Sequence, residues 1–418
     1  MKSAPGKWSR ALRVALLSYW FPRGMGYIVN MLPRYLARLG VDVHYITMDM
    51  PHYFFKNAQE NPYANFKQLK TMSPGQEEMY EDFRLHCLKH RQVAGHPRFV
   101  GLGEKLASIQ PDVVQSFLSI GWVAVDAAVL KPRLAYKLFT AAHTTASVFP
   151  LANRESLWVE PARIKNFFSR WVSGRFVSTR TEKCYAATSD CADVAIRFFG
   201  VQREKVAVAP LGVDTDLLSP ISTPEQQQER AMVRERLGVQ PQEILYIYTG
   251  QFTEAKNPLL LARAVESMRA RGAQVRALFL GDGQQRAAIA AHGASIVLPF
   301  VPHRELVDYY RAADVGVWPT QESTSMLDAA ACGLPVVVNN TLRAVERIDG
   351  NGLTYQLNDQ ASLESVLSRL LDRDARRQLG SVGARRMIEQ FSWNALVQRR
   401  LSDYRASLEP GASAGQRK

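Results

Sequence analysis

Short apolar runs alternate with amphipathic segments along nearly the whole chain. Residues 13–17 predict a buried strand, residues 29–39 a helix that ends at Gly40, and residues 41–46 a second strand. Runs that are apolar throughout are typical of strands buried on both faces of a parallel sheet. Their alternation with helices predicts an α/β fold. Further strands of the first half are expected at residues 112–116, 134–140, 183–187 and 206–209.

The alternation stops at residues 216–243, where proline, glutamine and glutamate predict a linker with a short helix. It restarts afterwards, so we predict two Rossmann-like domains, residues 10–215 and 244–390. Ligands of open parallel sheets bind at the carboxyl ends of the strands, which points to a cleft between the domains. Residues 1–9 and 410–418 are expected to be disordered. Strands of the second half are expected at residues 244–248, 275–280, 294–298, 314–318 and 335–338, with helices at 259–270, 363–371 and 375–391.

The net charge of +13 on 418 residues indicates an acidic partner, which could be nucleic acid, an anionic membrane or a phosphorylated substrate. The chain has no zinc-finger spacing, RNA-recognition signature or long basic block, so nucleic acid is not expected. Residues 163–176 mix basic and aromatic side chains. Two interpretations are open: a helix with its aromatic side in the core, which is favoured, or a helix lying on an anionic leaflet.

The four cysteines form neither a CxxC pair nor a metal-ligand spacing, which fits a reducing compartment without a structural metal. No apolar run approaches the about 20 residues that span a bilayer. The basic N-terminal segment leads into a short apolar run without a cleavage site, which we interpret as the first strand and not as a signal peptide. A cytoplasmic protein is expected. Peripheral association with the inner face of the membrane is compatible with this prediction.

Residues 318–337 carry the most informative chemistry. Glu322 follows a predicted strand in a loop of small hydroxylated residues, and a helix is expected to begin near Ser325 with Asp328 in its first turn. Free N–H groups at a helix start can hold a diphosphate, and a nearby carboxylate can accept hydrogen bonds from sugar or ribose hydroxyls. The alternative is that Glu322 and Asp328 only favour the helix N-terminus electrostatically.

The run Asp328-Ala-Ala-Ala-Cys-Gly-Leu-Pro-Val-Val337 resembles the signature of the family 4 glycosyltransferases, a retaining family of the GT-B fold. In that family two glutamates are separated by seven residues: the first contacts the donor sugar, and the second binds the donor ribose. Asp328 matches the second glutamate with a shorter acid. Glu322 precedes it by six residues instead of eight, so this loop is two residues shorter. The resemblance covers nearly the whole chain, most strongly residues 206–352.

Residues 248–257 resemble the family loop that grips the donor diphosphate. Gly250 opens it, Lys256 matches the family lysine, and Gln251 stands where the family has arginine. An ammonium is a good phosphate ligand, whereas the missing arginine is expected to weaken stabilisation of the leaving group. An exposed surface lysine is the alternative for Lys256. The resemblance adds donor-binding positions at the start of the helix that is expected to begin near Ser325. They are Ser323, Thr324, Ser325 and Met326.

Other segments follow the family in order and spacing. Residues 280–283 resemble its Gly-Asp-Gly turn and contain Gly281, while Val301 lies in the segment whose backbone faces the nucleobase. Residues 210–214 resemble the signature at the junction of the domains, where Gly212 and Asp214 are expected to shape the turn. Residues 391–409 resemble the C-terminal helix that crosses back onto the N-terminal domain.

In the N-terminal half, Gly24 and Gly26 stand in the position of the family's glycine-rich loop, beside donor and acceptor. His143 follows a predicted strand and resembles the histidine that the family presents to the reacting sugar. A packed polar histidine is the alternative. Residues 50–101 match the family little, and this is where the acceptor would be selected.

The resemblance implies transfer of a sugar from a nucleotide-diphosphate sugar to a saccharide or lipid-linked acceptor, with retained configuration and with neither metal nor cofactor. Lys256 and backbone N–H groups would stabilise the departing diphosphate, Glu322 would contact the donor sugar, and His143 would orient donor sugar or acceptor. Synthesis of lipopolysaccharide, another surface polysaccharide or a glycolipid is expected from the family. Two alternatives remain open: another GT-B enzyme such as a sugar-nucleotide epimerase, or a degenerate, non-catalytic binding partner.

Overall fold

The fold was analysed in a computed structural model of the chain. It describes residues 10–50, 72–146, 149, 161–320 and 323–409, with the backbone alone for residues 161–166. The two chain ends for which disorder was predicted, residues 1–9 and 410–418, lie outside the described residues, and so does Glu322.

The N-terminal domain is built on one large sheet and a small hairpin. Its strands are β1 (Arg13–Leu17), β2 (Asp42–Met48), β3 (Glu77–Tyr80), β4 (Phe83–Leu88), β5 (His90–Val93), β6 (His96–Phe99), β7 (Val113–Ser116), β8 (Lys137–Ala142), β9 (Lys183–Ala186) and β10 (Val206–Val208). In the described part of the chain the large sheet has the order β10-β9-β8-β7-β1-β2-β4-β3, with β3 antiparallel to β4. The antiparallel pair β5 and β6 forms the hairpin. Strands β1 and β7 are almost fully buried, as strands covered by helices on both faces are.

Helices cover both faces of this sheet: α1 (Ile28–Arg38), α2 (Leu102–Ile109), α3 (Trp122–Leu134), α4 (Pro161–Arg180) and α5 (Ser189–Phe199). One core lies between the sheet and α1, and a second lies between the sheet, α2 and α3. Helix α5 is capped at its N-terminus by Thr188, whose hydroxyl accepts the N–H of Cys191. This cap satisfies a donor that a helix start otherwise leaves free.

The C-terminal domain has a six-stranded parallel sheet in the order β13-β12-β11-β14-β15-β16. Its strands are β11 (Ile244–Thr249), β12 (Val275–Leu280), β13 (Ser295–Leu298), β14 (Val315–Trp318), β15 (Val336–Asn339) and β16 (Gly352–Tyr355). Its helices are α6 (Pro224–Arg236), α7 (Pro258–Ala270), α8 (Arg286–Ala290), α9 (Leu306–Ala312), α10 (Ser325–Ala331), α11 (Gln360–Arg369) and α12 (Arg373–Arg386). The direction of strand order reverses between β11 and β14. The crevice at such a reversal is where open parallel sheets bind ligands.

The predicted α/β fold with two Rossmann-like domains is confirmed, and the main differences from the predicted elements lie in three places. Helix α3 extends to Leu134, and Ala135 ends it in a left-handed conformation (φ 57°), so β8 begins only at Lys137. Helix α12 ends at Arg386 and continues as one wider turn, Met387–Phe391. The strand pairs between residues 77 and 99 were not predicted, because their alternation is masked by histidines and arginines.

The segment predicted to be a linker contains α6, which packs against α9 of the C-terminal domain. Arg234 of α6 is buried and pairs with Asp314 (3.1 Å). Its guanidinium also donates to the carbonyls of Ala312 (2.9 Å) and Glu243 (2.5 Å). A buried cation is tolerated only when it is paired and hydrogen-bonded, so these contacts hold α6 on this domain.

The last helix, α13 (Trp393–Leu408), crosses from the C-terminal to the N-terminal domain. At the crossing, the N–H of Val213 donates to the carbonyl of Phe391 (2.9 Å). Farther along, Asp403 pairs with Lys183 of β9 (2.6 Å) and accepts the hydroxyl of Tyr185. The N-terminal sheet and the chain's end therefore form one packed unit.

Helix α4 meets the favoured prediction only in part: Phe167 and Phe176 pack against the core, whereas other apolar side chains of the helix do not. Phe168, Trp171 and Val172 are exposed at 53%, 38% and 58%. The cause is Gly174: a Cβ atom there would overlap the carbonyl oxygen of Phe199, so α5 packs directly against this side of α4. The packed face is therefore fixed by a glycine, and the apolar stripe formed by Phe168, Trp171 and Val172 faces outward. No described helix is long and apolar enough to cross a bilayer.

Candidate active site

A cavity of about 280 Å³ lies between the two domains, at the carboxyl ends of β11 and β14. The N-terminal domain contributes the loop after β1, and the C-terminal domain contributes the loops after β11, β13 and β14. Nine of the residues predicted to bind the donor line this cavity: Gly26, Gly250, Gln251, Lys256, Val301, Ser323, Thr324, Ser325 and Asp328.

The two strand ends beneath the cavity are joined by side-chain hydrogen bonds. The indole N–H of Trp318, the last residue of β14, donates to the carbonyl of Thr249, the last residue of β11 (3.1 Å). The hydroxyls of Thr249 and Tyr310 lie 2.8 Å apart. All three side chains are buried, so the floor of the cavity is rigid.

Two glycine-containing loops meet at the side of the cavity. The N–H of Phe252 donates to the carbonyl of Asp282 (2.8 Å), and the N–H of Gly250 donates to that of Leu280 (3.0 Å). A Cβ atom on Gly281 would overlap the carbonyl oxygen of Gly250. Gly281 therefore does not line the cavity but allows the loop that carries Gln251 to reach it.

Lys256 ends this loop just before α7 and points into the cavity, half-buried. Burial lowers the pKa of its ammonium. No carboxylate of the described chain contributes to this shift, so the charge has no ion-pair partner there. A half-buried ammonium without a counter-charge is suited to receive an anionic ligand.

Asp328 lies in the first turn of α10 and faces His303, which precedes α9. The Asp328 Oδ2 and His303 Nε2 atoms are 3.9 Å apart, and the side chains are 14% and 15% exposed. Burial raises the pKa of the Asp328 carboxyl to about 6; His303 opposes this rise and Asp214 adds to it. His303 also touches the opposite domain, because a Cβ atom on Gly26 would lie 2.5 Å from Nε2.

The loop before α10 is fixed from beneath. The side-chain amide of Asn339 donates to the carbonyls of Pro319 (3.1 Å) and Thr320 (2.6 Å). The hydroxyl of Tyr355 also donates to Pro319 (2.6 Å). These bonds set the backbone direction ahead of Glu322, whose own position lies outside the described residues.

The start of α10 presents hydroxyl groups more than free N–H groups. The hydroxyls of Ser323 and Ser325 are 2.8 Å apart, and the N–H of Ser325 donates to the Ser323 hydroxyl (3.3 Å). The N–H of Met326 donates to the carbonyl of Ser323 (3.3 Å), and its side chain is buried in the core. Two of the N–H groups predicted to hold a diphosphate thus already have partners.

Two predicted site residues of the N-terminal domain lie apart from the cavity. Gly24 lines a second cavity of about 510 Å³ on the other side of Met25 and His303. His143 follows β8 and is exposed without lining the donor cavity. Desolvation by the neighbouring protein lowers the pKa of its imidazole, and the positive charge of Arg400 adds to this effect.

His303 is the main site residue that the sequence did not indicate. It follows Val301 by two positions, so its signal was a polar side chain just past a strand at the ligand-binding edge of the sheet. Thr249, Phe300 and Tyr27 also line the cavity. Among the described residues no cluster of three His, Cys, Asp or Glu side chains is placed to hold a metal ion.

Solved structures of glycosyltransferases share this arrangement. Sucrose-phosphate synthase from Thermosynechococcus elongatus matches 95% of the chain and 99% of its own length, with 17% identity and a TM-score of 0.66. The Anabaena protein HepE, solved in complex with UDP and glucose, matches 95% and 100%, with 14% identity and a TM-score of 0.66. The chain therefore has the GT-B fold of glycosyltransferases, in which two Rossmann-like domains face each other.

The sequence comparisons narrow this class to a family. The model of glycosyltransferase family 4 matches residues 22–217, and that of glycosyl transferases group 1 matches residues 243–373. A D-inositol 3-phosphate glycosyltransferase of Geodermatophilus obscurus is 32% identical over 73% of this chain and 69% of its own. That of Xylanimonas cellulosilytica is 30% identical over 68% of both chains. The chain belongs to the family 4 glycosyltransferases.

Proposed function

We propose that the chain moves a sugar from a nucleotide-diphosphate sugar, held mainly by the C-terminal domain, to an acceptor hydroxyl. The observation that carries this proposal is the presence of Lys256 and Asp328 in one cavity. An ammonium that has no carboxylate partner among the described residues suits the diphosphate, and a carboxylate suits ribose hydroxyls. Ser323, Thr324 and Ser325 add hydroxyl groups at the same wall.

Catalysis in this proposal rests on stabilising the departing diphosphate. Lys256 supplies the positive charge, and its partial burial strengthens the interaction because the surroundings are less polar than water. Gln251 supplies a neutral hydrogen-bond donor where related enzymes have a charge. Glu322 contacts the donor sugar, and His143 orients sugar or acceptor after closure of the cleft.

We propose that the sugar is transferred with retained configuration and that the reaction needs neither metal nor cofactor. Lys256 is placed to take the role on the diphosphate that a cation would otherwise have. Activity that is unchanged by excess EDTA, with a product of the donor's own anomeric configuration by NMR, is the expected result. Loss of activity with EDTA that Mg²⁺ restores, or an inverted product, would contradict these points.

We propose a saccharide or a lipid-linked saccharide as acceptor, in surface polysaccharide or glycolipid synthesis. Inositol 3-phosphate is the second candidate, because the named relatives act on it. Radiolabelled UDP-, GDP- and ADP-sugars are incubated with membrane extracts, oligosaccharides and inositol 3-phosphate, and the products are separated. Transfer to a lipid or saccharide fraction supports the proposal. Transfer to inositol 3-phosphate alone would identify that molecule as the acceptor instead. Conversion of the donor without transfer would indicate an epimerase, and nucleotide binding without any reaction a non-catalytic protein.

We further propose that helix α4 rests on an anionic bilayer at the inner face of the membrane. Phe168, Trp171 and Val172 form an exposed apolar stripe at helical spacing. Arg170 and Arg175 flank it, and the helix contains no acidic residue. Apolar side chains flanked by basic ones are the composition of helices that lie in the headgroup region of anionic membranes.

Sedimentation with vesicles tests this surface. The protein is expected to bind vesicles that contain phosphatidylglycerol more than vesicles of phosphatidylcholine alone, and the double variant Phe168→Ser, Trp171→Ser is expected to lose this binding. Met232→Ser, at a side chain 53% exposed on α6, is the matched control. Equal binding by the double variant and the wild type would contradict the proposal.

A further inference from the structure

His303 and Asp328 are two polar side chains of the donor cavity that face each other at a distance too long for a direct hydrogen bond. Each is mostly buried, at 15% and 14% exposure. Among the described residues neither side chain makes a hydrogen bond, since their mutual distance of 3.9 Å is too long for one. The polar atoms of both side chains face the cavity and are not fully enclosed by protein, so a ligand in the cavity can reach them. A ligand group between them would supply the missing partner.

The separation of the two atoms suits a hydroxyl group. An oxygen about 2.8 Å from both Nε2 of His303 and Oδ2 of Asp328 fits across a 3.9 Å gap, because hydrogen bonds of this length are ordinary. A hydroxyl can donate its proton to the carboxylate and accept one from the imidazole N–H. Two adjacent hydroxyls can also divide the two partners between them.

The position of the histidine is fixed from the opposite domain. The backbone of Gly26 lies against the ring, and a Cβ atom there would be 2.5 Å from Nε2. Gly26 has no positive φ, so the glycine is required by space and not by backbone conformation. Pro302 precedes the histidine and restricts the chain on the other side.

We propose that His303 is a donor-specificity residue, which shares recognition of the adjacent ribose hydroxyls of the donor nucleotide with Asp328. This inference rests on the proposed donor site and assigns it a second side chain. The two side chains approach the same part of the cavity from different segments, His303 from the turn before α9 and Asp328 from the first turn of α10.

The test compares ribonucleotides with deoxynucleotides. Isothermal titration first identifies which of UDP, GDP and ADP the wild type binds, and then measures its 2′-deoxy and 3′-deoxy forms. The wild type is expected to prefer the ribonucleotide about 10-fold or more over one deoxy form, as for the loss of a hydrogen bond within a built site. His303→Ala is expected to lose this preference. Its affinity for the ribonucleotide falls, whereas its affinity for the deoxynucleotide stays within about 3-fold of the wild-type value. Arg304→Ala, the neighbour that lines only the second cavity, is the matched control.

A second variant separates recognition from a general loss of structure. Asp328→Glu alone is expected to weaken binding, because the longer acid meets the His303 ring. When it is combined with His303→Ala in a double variant, the Asp328→Glu substitution is expected to restore the preference for the ribonucleotide. A preference unchanged in His303→Ala would overturn this inference and leave the donor site intact. A wild type that binds none of the nucleoside diphosphates would overturn the donor site itself, and this inference with it.

Discussion

Gly281 and Gly250 touch through their backbones: a Cβ atom on Gly281 would overlap the carbonyl oxygen of Gly250. The contact sets the distance between the loops after β11 and β12. Gly281→Ala is expected to push the Gly250 loop away, to lower the free energy of unfolding by about 1–3 kcal/mol, and to weaken nucleotide binding. Thermal unfolding and titration with nucleotide measure both effects. Gly293→Ala is the control, because its nearest neighbour is a flexible Glu266 oxygen 3.9 Å away, and an equal effect there would contradict the explanation.

Lys256 is expected to contribute to the phosphates and not to the nucleoside. Lys256→Ala removes an ammonium from the cavity, and a hydrogen bond to a charged group contributes about 1.5–3 kcal/mol. We therefore expect nucleoside diphosphate affinity to fall about 10- to 100-fold, and nucleoside affinity to stay the same. Arg263→Ala, which removes an exposed charge of the helix that follows Lys256 and does not line the cavity, is the control. An equal loss for nucleoside and diphosphate would argue against a phosphate contact.

Donor affinity is expected to fall in mildly acidic solution. The pKa of Asp328 is raised to about 6 by burial, so its carboxyl gains a proton as the pH falls through that value and loses acceptor strength. Between pH 7.5 and pH 5 the affinity is expected to fall about 10-fold. Asp328→Asn is expected to bind less well at pH 7.5 and to show a flatter profile. A profile of unchanged slope in this variant would assign the titration to another group.

A buried histidine pair in the N-terminal sheet predicts a separate effect of pH on stability. Nδ1 of His44 lies 3.0 Å from Nε2 of His86, between Asp42 and Glu77. Burial lowers the pKa of both imidazoles, that of His44 to about 4. In the unfolded chain the pKa of histidine is about 6.5. The unfolded state therefore binds more protons in this window, and the free energy of unfolding decreases as the pH falls from about 6.5 to about 4.

Thermal unfolding between pH 7.5 and pH 4.5 measures this dependence. His44→Gln keeps a hydrogen-bonding side chain but cannot titrate, so its melting temperature is expected to fall less steeply with acid. The variant is expected to bind nucleotide as the wild type does, since His44 does not line the donor cavity. His292→Gln, at a histidine of the other domain, is the control, and identical slopes for all three proteins would contradict the prediction.

The sequence predicted those elements that depend only on residues close together along the chain. Neighbouring residues alone determine the apolar run of β11, the end of helix α1 before Gly40 and the position of Asp328 in the first turn of α10. Carboxyl ends of adjacent parallel strands meet at one edge, which is why Lys256 and Asp328 could be expected in one cavity.

The remaining features depend on contacts between distant parts of the chain. The position of His303 depends on Gly26 in the opposite domain, and no local pattern records such a contact. The outward face of α4 depends on Gly174 fitting against α5, whereas the spacing of Phe168 and Trp171 suits a core as well as a surface. The partners of the Met326 N–H could not be predicted either, because they follow from the particular turn made by the shortened loop.

The central claim is that the cavity between the domains holds a nucleoside diphosphate. Isothermal titration of the wild type and of Asp328→Ala with UDP, GDP and ADP tests it most directly. The account predicts that the wild type binds one of the three in a 1:1 complex and that Asp328→Ala binds it at least about 10-fold less well, as loss of a hydrogen-bonded charged group requires. A wild type that binds none of them, or a variant that binds as tightly as the wild type, would contradict it.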